Sequence, residues 1–189
     1  MQAIQNLDTQ LFLYLNSIHF DWLDPIMELI TRRDTWFFAY LVLMFWLIYK
    51  QKKEGAFTII AIVLAIILSD QICSSILKPM VARLRPCHEP ALQGLVHIVN
   101  ECGGQYGFCS SHAANGFALA TTIFLFFGKN VYTVALYIWA ILISYSRIYV
   151  GVHYPLDIIF GAMFGSAFAY LSFILINLLK KRFLNTHFK

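Results

Sequence analysis

Apolar residues fall in long uninterrupted runs along this chain, with polar residues gathered into short stretches between them. Crossing a hydrocarbon core of about 30 Å takes about 20 helical residues. Five runs approach that length: 35–49, 56–77, 111–127, 131–149 and 155–179. The first is short, but Arg32, Arg33, Lys50 and Lys52 flank it and can extend their charged ends towards water. The stretch before it is too interrupted to span, yet Ile4, Leu7, Leu11, Leu15 and Ile18 recur at near-helical spacing, which predicts an interfacial helix. Asp24 followed by Pro25 reads as a helix cap and first helical residue, so a second short helix is expected to run to about Thr31. The pattern therefore predicts an all-α integral membrane protein: a bundle of about five transmembrane helices preceded by N-terminal interfacial helices. One domain is expected over 1–189, with 1–34 a packing lid, 35–180 the bundle and 181–189 a tail.

Composition agrees, since 59% of residues are apolar and 13% charged, a balance far from that of soluble domains. The first twenty residues lack the basic start, compact apolar stretch and cleavage site of a secretory signal, so membrane entry is expected to come from the spans themselves. The basic residues form short clusters rather than a stripe, which argues against nucleic acid as a partner and for the bilayer. Because consecutive helices alternate direction, Lys50, Lys52, Lys53, Lys129, Lys180, Lys181, Arg182 and Lys189 share one side, against the single acid Glu54. By the positive-inside tendency this side, with the C-terminus, is expected to be cytoplasmic. The opposite face then holds the N-terminal tail, the long loop 78–110 and the short loop 151–154, facing the exterior or periplasm of an inner-membrane protein.

Topology locates the chemistry on that outer face. Lys78, Arg83 and Arg85 follow the second run, Ser110, Ser111 and His112 open the third, Arg147 closes the fourth, and His153 with Asp157 flanks the start of the fifth. Charge at membrane depth is costly without a partner or a function, so four segments converging with cations, hydroxyls and histidines predict an anion site. Phosphate fits best: arginine offers paired donors, lysine a compact charge, and the amides opening the third helix lie beside a favourable helix dipole. A carboxylate at Asp157 can reach back to Nδ1 of His153 and leave Nε2 free to attack, while His112 can protonate a departing alkoxide. Taken singly, each feature has an ordinary reading, with Arg83 equally suited to anchoring a lipid headgroup; taken together they call for a site.

These residues also resemble a known family. Lys78 to Pro86 reads K-P-M-V-A-R-L-R-P, matching the K-x6-R-P motif of the type 2 phosphatidic acid phosphatase superfamily, and Ser146 to Asp157 matches its S-R-x5-H-x3-D motif. The middle motif, normally P-S-G-H, here reads Cys109, Ser110, Ser111, His112; the serine in place of glycine keeps the backbone amide. Three motifs in order are specific where one alone is weak. The resemblance implies a metal-independent bacterial membrane lipid phosphatase that needs no cofactor, with phosphate bound by Lys78, Arg85, Ser110, the Ser111 amide, His112 and Arg147. It further implies His153 as nucleophile, Asp157 orienting it, His112 as the leaving-group acid, and a phosphohistidine intermediate. Undecaprenyl diphosphate, phosphatidylglycerol phosphate, phosphatidic acid and lipid A phosphates are all open as substrates. A phosphotransferase using the same phosphohistidine is the alternative, and a non-catalytic lipid-binding or transport protein a more distant one. Oligomeric state is left open.

Four cysteines add a weaker signal. Cys87 and Cys102 both fall in the outer loop, where an oxidising compartment allows a disulfide, with Cys109 as competing partner; Cys73, inside the second run, is expected to be a buried thiol. No metal-ligand spacing stands out, and His88 and His97 are expected to be ordinary loop residues. Asp70 is expected to have a structural role, and Gly161 with Gly165 forms a G-x-x-x-G pair suited to close helix packing within the monomer.

Overall fold

The computed structural model describes residues 2–99 and 101–186; Lys189, counted above with the basic cluster, and the end of the expected tail lie outside the described residues. Two short helices, α1 (Gln2–Asn16) and α2 (Asp24–Thr31), precede α3 (Phe37–Asp70). A π-helical stretch, Gln71–Leu77, leads into α4 (Lys78–Val81). After a long loop come α5 (Ser111–Phe127), α6 (Val131–Tyr149) and α7 (Pro155–Thr186). Strands are absent among the described residues, apart from an isolated antiparallel bridge between Leu84 and Tyr106 in the loop.

Within α3 the chain turns back on itself at Lys52, whose φ of 49° and ψ of −119° are not helical. Leu47 on one arm packs with Ile62 on the other, and Tyr40 and Leu43 join Ile59 and Ile66 in the same cluster. Gly55 permits the reversal, because any Cβ there would collide with the Leu47 carbonyl. The two arms correspond to the first two expected runs, 35–49 and 56–77. Three helical stretches are long and apolar enough to cross a membrane, Asp34–Val81, Val131–Tyr149 and Pro155–Arg182, and the first of them contains both arms of the hairpin. The fourth apolar helix, Ser111–Phe127, is shorter and ends at Gly128.

Helices α5 and α7 pack at the centre. The two glycines predicted for close packing make this contact: a Cβ on Gly165 would strike the Ala114 carbonyl, and one on Gly161 would come within 3.1 Å of the Ala113 Cβ. At one end of the bundle Lys180 pairs with Glu54, tying the C-terminal part of α7 to the α3 reversal.

At the other end α1 is fastened to the bundle. Asn16 donates to the carbonyls of His97, Ile148 and Tyr149 at 3.0, 3.1 and 2.9 Å and accepts from the His97 amide at 2.8 Å. Asp24 does not cap α2 as expected: the residue before it, Leu23, holds the cap position without a side-chain bond, and the Asp24 carboxylate instead accepts from the Tyr149 hydroxyl at 2.6 Å and meets His97 Nε2 at 3.0 Å. These partners hold Asp24 below the ordinary carboxylate pKa against the opposing effect of burial, the largest single influence on it.

A second correction concerns the cysteines. Cys73 is buried, but it is not a thiol: it forms a disulfide with Cys109, while Cys87 and Cys102 form another. Cys73, in the Gln71–Leu77 stretch, lies with its Cα 5.3 Å from that of Cys109 in the segment that enters α5, a proximity that spacing along the chain does not reveal.

Candidate active site

The loop after α4 supplies the first cations. Ala82 takes a left-handed conformation, φ 50°, and ends the helix. The chain then runs extended, fixed by bonds from the Arg85 amide to the Gln105 carbonyl at 3.1 Å and from the Gly107 amide to the Arg83 carbonyl at 2.9 Å. Two residues apart on an extended segment, Arg83 and Arg85 project to the same side. Arg85 donates through Nε to the Tyr106 carbonyl at 3.3 Å and through its terminal nitrogen to the Cys102 carbonyl. Burial lowers its pKa from the ordinary value, with the Asp157 charge acting in the opposite direction.

Pro155 opens α7, as its fixed φ favours, and places Asp157 in the first turn. Asp157 is fully buried; its Oδ2 lies 3.2 Å from Nδ1 of His153 and accepts from the Tyr154 amide at 3.0 Å. Gly107 packs against the same oxygen so closely that a Cβ would come within 2.9 Å of it. His153 is 2% exposed, and burial, reinforced by the charges of Arg147, Arg85 and Lys78, keeps its pKa well below the ordinary imidazole value. A neutral histidine with Nδ1 held by a carboxylate has the form of a poised nucleophile.

Helix α5 contributes its first turn. Ser110 is the cap residue by position, but its hydroxyl makes no capping bond; its amide donates to the Asp157 carbonyl at 3.0 Å, which ties α5 to α7. The Ser110 hydroxyl and Arg147 Nε are both buried, and neither finds a hydrogen-bond partner among the described residues. Two buried donors without acceptors mark a place for an oxygen-rich anion. The Ser111 hydroxyl pairs with that of Ser74 at 2.9 Å, leaving its amide as the group available at the helix start. Arg147 also donates to the Thr31 hydroxyl from α2, and His112 lies within electrostatic reach of Arg147 and His153. Lys78 stands in the field of Arg85, Arg147 and Asp70, and Asp70 in turn accepts from Ser74 at 3.3 Å. Thus the tertiary structure brings Lys78, Arg85, Ser110, Ser111, His112, Arg147, His153 and Asp157 to one end of the bundle.

Several contributors were not legible in the sequence. Thr31, Gly107 and Asp8 act through tertiary contacts, and no spacing rule connects them with the three motifs. Arg83, which the sequence places beside Arg85 with a headgroup anchor as its other reading, is held within the protein: Asp8 lies 2.7 Å from its guanidinium, Asp157 lies 3.4 Å away, and the Tyr154 ring lies beneath it at 3.7 Å. Among the described residues, Cys87, His88 and Cys102 have the proximity of a metal site, but the two sulfurs are joined to each other and so cannot serve as thiolates.

A cleft of about 470 Å³ leads away from His112 and Ser111 between α2, α3, α5 and α6, with Arg33 at its wall and Trp36, Ile62 and Leu119 along its apolar length.

The chain is similar to known proteins in sequence and in fold. The PAP2 superfamily matches residues 59–181. The lipid A 4'-phosphatase of Bacteroides thetaiotaomicron is 36% identical over 185 residues, covering 96% of this chain and 82% of that protein. The lipid A 4'-phosphatase of Porphyromonas gingivalis is 38% identical over 167 residues, covering 87% and 71% respectively. Among solved structures, Aquifex aeolicus LpxE superposes with a TM-score of 0.71 at 27% identity, covering 88% of this chain and 94% of that one.

Proposed function

The chain belongs to the PAP2 superfamily and is an integral membrane phosphatase acting on lipids, and from that premise we propose that it removes a phosphate from a lipid A type glycolipid through a phosphohistidine on His153. The observation that carries the mechanism is the buried His153–Asp157 pair, 3.2 Å apart, within a ring of cations and beside the unpartnered donors Ser110 and Arg147. The choice of lipid rests on the two lipid A 4'-phosphatases that resemble the chain over most of its length. The apolar cleft offers a route for acyl chains up to His112.

In the proposed reaction, Lys78, Arg85, Arg147 and the amides opening α5 hold the phosphoryl oxygens and stabilise the charge of in-line transfer. The Nε2 lone pair of His153 attacks phosphorus as the ester P–O bond breaks, and His112 gives its proton to the departing alkoxide. Asp157 balances the positive charge that develops on the imidazole. Water then gives a proton to the deprotonated His112 and attacks phosphorus, the P–N bond breaks, and inorganic phosphate leaves with both histidines restored. Four cationic or dipolar donors supply the stabilisation, so no metal is needed by this scheme.

We place the site on the periplasmic or exterior face of a bacterial inner membrane and the C-terminus in the cytoplasm, with five crossings when each arm of the hairpin is counted. The Lys180–Glu54 pair supports this, because it gathers Lys50, Lys52, Lys53, Lys180 and Lys181 at the end of the bundle opposite the site. A C-terminal reporter active only outside the cell would overturn the placement.

Purified protein in detergent, supplied with lipid A, undecaprenyl diphosphate, phosphatidylglycerol phosphate and phosphatidic acid in excess chelator, should release phosphate fastest from lipid A. Preference for another lipid would move the substrate assignment, and loss of turnover restored by a divalent cation would remove the metal-free scheme. Phosphate passed to an added acceptor lipid faster than to water would identify a phosphotransferase.

A further inference from the structure

Asp8 lies on α1, well before the region that the family match covers, yet it is 4% exposed and its carboxylate meets Arg83 and the first turn of α7. Its Oδ1 accepts from the Leu156 amide at 2.9 Å, and its Oδ2 lies 2.7 Å from the Arg83 guanidinium. The first contact satisfies one of the amides that the start of α7 leaves without an intrahelical acceptor, in the same turn that carries Asp157. The second gives Arg83 a carboxylate of its own, nearer than Asp157, whose Oδ1 is 3.4 Å away. Burial raises the Asp8 pKa, while the Leu156 amide and Arg83 act to keep the carboxylate charged.

We propose that Asp8 is a positioning residue for the hydrolytic centre: it anchors Arg83 and the first turn of α7, so that Asp157 remains directed at His153. This rests on His153 and Asp157 being the reacting pair. Without the Asp8 carboxylate, Arg83 has Asp157 as its remaining carboxylate in contact, and the shorter pairing that would follow draws Asp157 away from Nδ1. An asparagine at position 8 keeps an oxygen acceptor for the Leu156 amide, so Asp8→Asn reads the lost pairing with Arg83. The N-terminal helix is then part of the catalytic apparatus through one residue, rather than a cover over it.

The test compares Asp8→Asn with Asn16→Ala, which loosens the same helix at a point remote from Arg83. With a lipid phosphate in detergent, Asp8→Asn should lower kcat about 10- to 100-fold, the scale of a misplaced reacting group, while KM changes by no more than about twofold. Asn16→Ala should lower thermal stability and leave the kcat of the folded enzyme near wild type. Arg83→Gln should lower kcat similarly, and Asp8→Asn/Arg83→Gln should lose no more than the worse single variant, since the two act as a unit. The double variant also removes both buried charges, so it remains informative if Asp8→Asn alone does not fold. Wild-type kcat in Asp8→Asn, equal losses in Asp8→Asn and Asn16→Ala, wild-type kcat in Arg83→Gln, or additive losses in the double variant would each overturn the proposal. Absence of a labelled phosphohistidine in the wild type would instead remove the parent mechanism, so the two failures are distinguishable.

Discussion

Asp157 Oδ2 stands between two donors that precede it in the chain, Nδ1 of His153 at 3.2 Å and the amide of Tyr154 at 3.0 Å. The amide fixes the carboxylate, and the carboxylate fixes the ring, so the orientation of the nucleophile is inherited from the backbone of the turn that begins α7. The same residue's carbonyl accepts from the Ser110 amide, coupling this orientation to the phosphate-binding turn of α5.

His153→Ala is therefore expected to abolish turnover, and Asp157→Asn to reduce kcat about 10²- to 10⁴-fold by weakening control of the tautomer and of the developing charge. Rapid quench with radiolabelled substrate should trap an acid-labile, base-stable phosphoenzyme in the wild type and none in His153→Ala. Label retained in that variant would assign the nucleophile elsewhere.

His112 has a different task, and leaving-group dependence separates it from His153. His112→Ala should slow release of a lipid alkoxide by about 10²- to 10⁴-fold, yet have little effect on a nitrophenyl phosphate, whose leaving group needs no proton. An equal loss with both substrates would remove the acid role.

Cys73–Cys109 closes 36 residues and Cys87–Cys102 closes 15. In the simplest chain-entropy account these loops are worth about 4 and about 3 kcal/mol. Mass spectrometry of unreduced peptides should find both pairs, and Cys73→Ser/Cys109→Ser should lower the unfolding midpoint more than Cys87→Ser/Cys102→Ser. Free thiols at Cys73 and Cys109 in protein from its native membrane would contradict the first bridge.

Burial and the neighbouring cations hold the folded pKa of His153 well below the unfolded value of about 6.5. As pH falls below about 6.5, the unfolded chain takes up a proton at this position and the folded one does not, so His153 makes the protein progressively less stable until the folded value is reached. Thermal unfolding in detergent between pH 7 and pH 5 should show a steeper loss in the wild type than in His153→Asn. Parallel slopes would mean that the imidazole is not held neutral.

Sequence alone determined the apolar runs, the side on which the basic clusters gather, and the three motifs around Lys78, Ser110 and His153, because membrane thickness and phosphate chemistry impose local requirements on length, charge and spacing. Asp157 was legible for the same reason, since a separation of four residues at a helix start brings it within reach of His153. The tertiary structure alone decided the partners of Asp8, Asp24, Thr31, Arg83 and Cys73. Each is separated from its partner by 36 to 148 positions, as Cys73 from Cys109 and Asp8 from Leu156 illustrate. Such pairings depend on which helix faces pack together, a matter of side-chain fit among several segments at once. Hydrophobic pattern specifies that α1 will seek a surface; only the packed bundle specifies that its one buried acid will come to rest on Arg83.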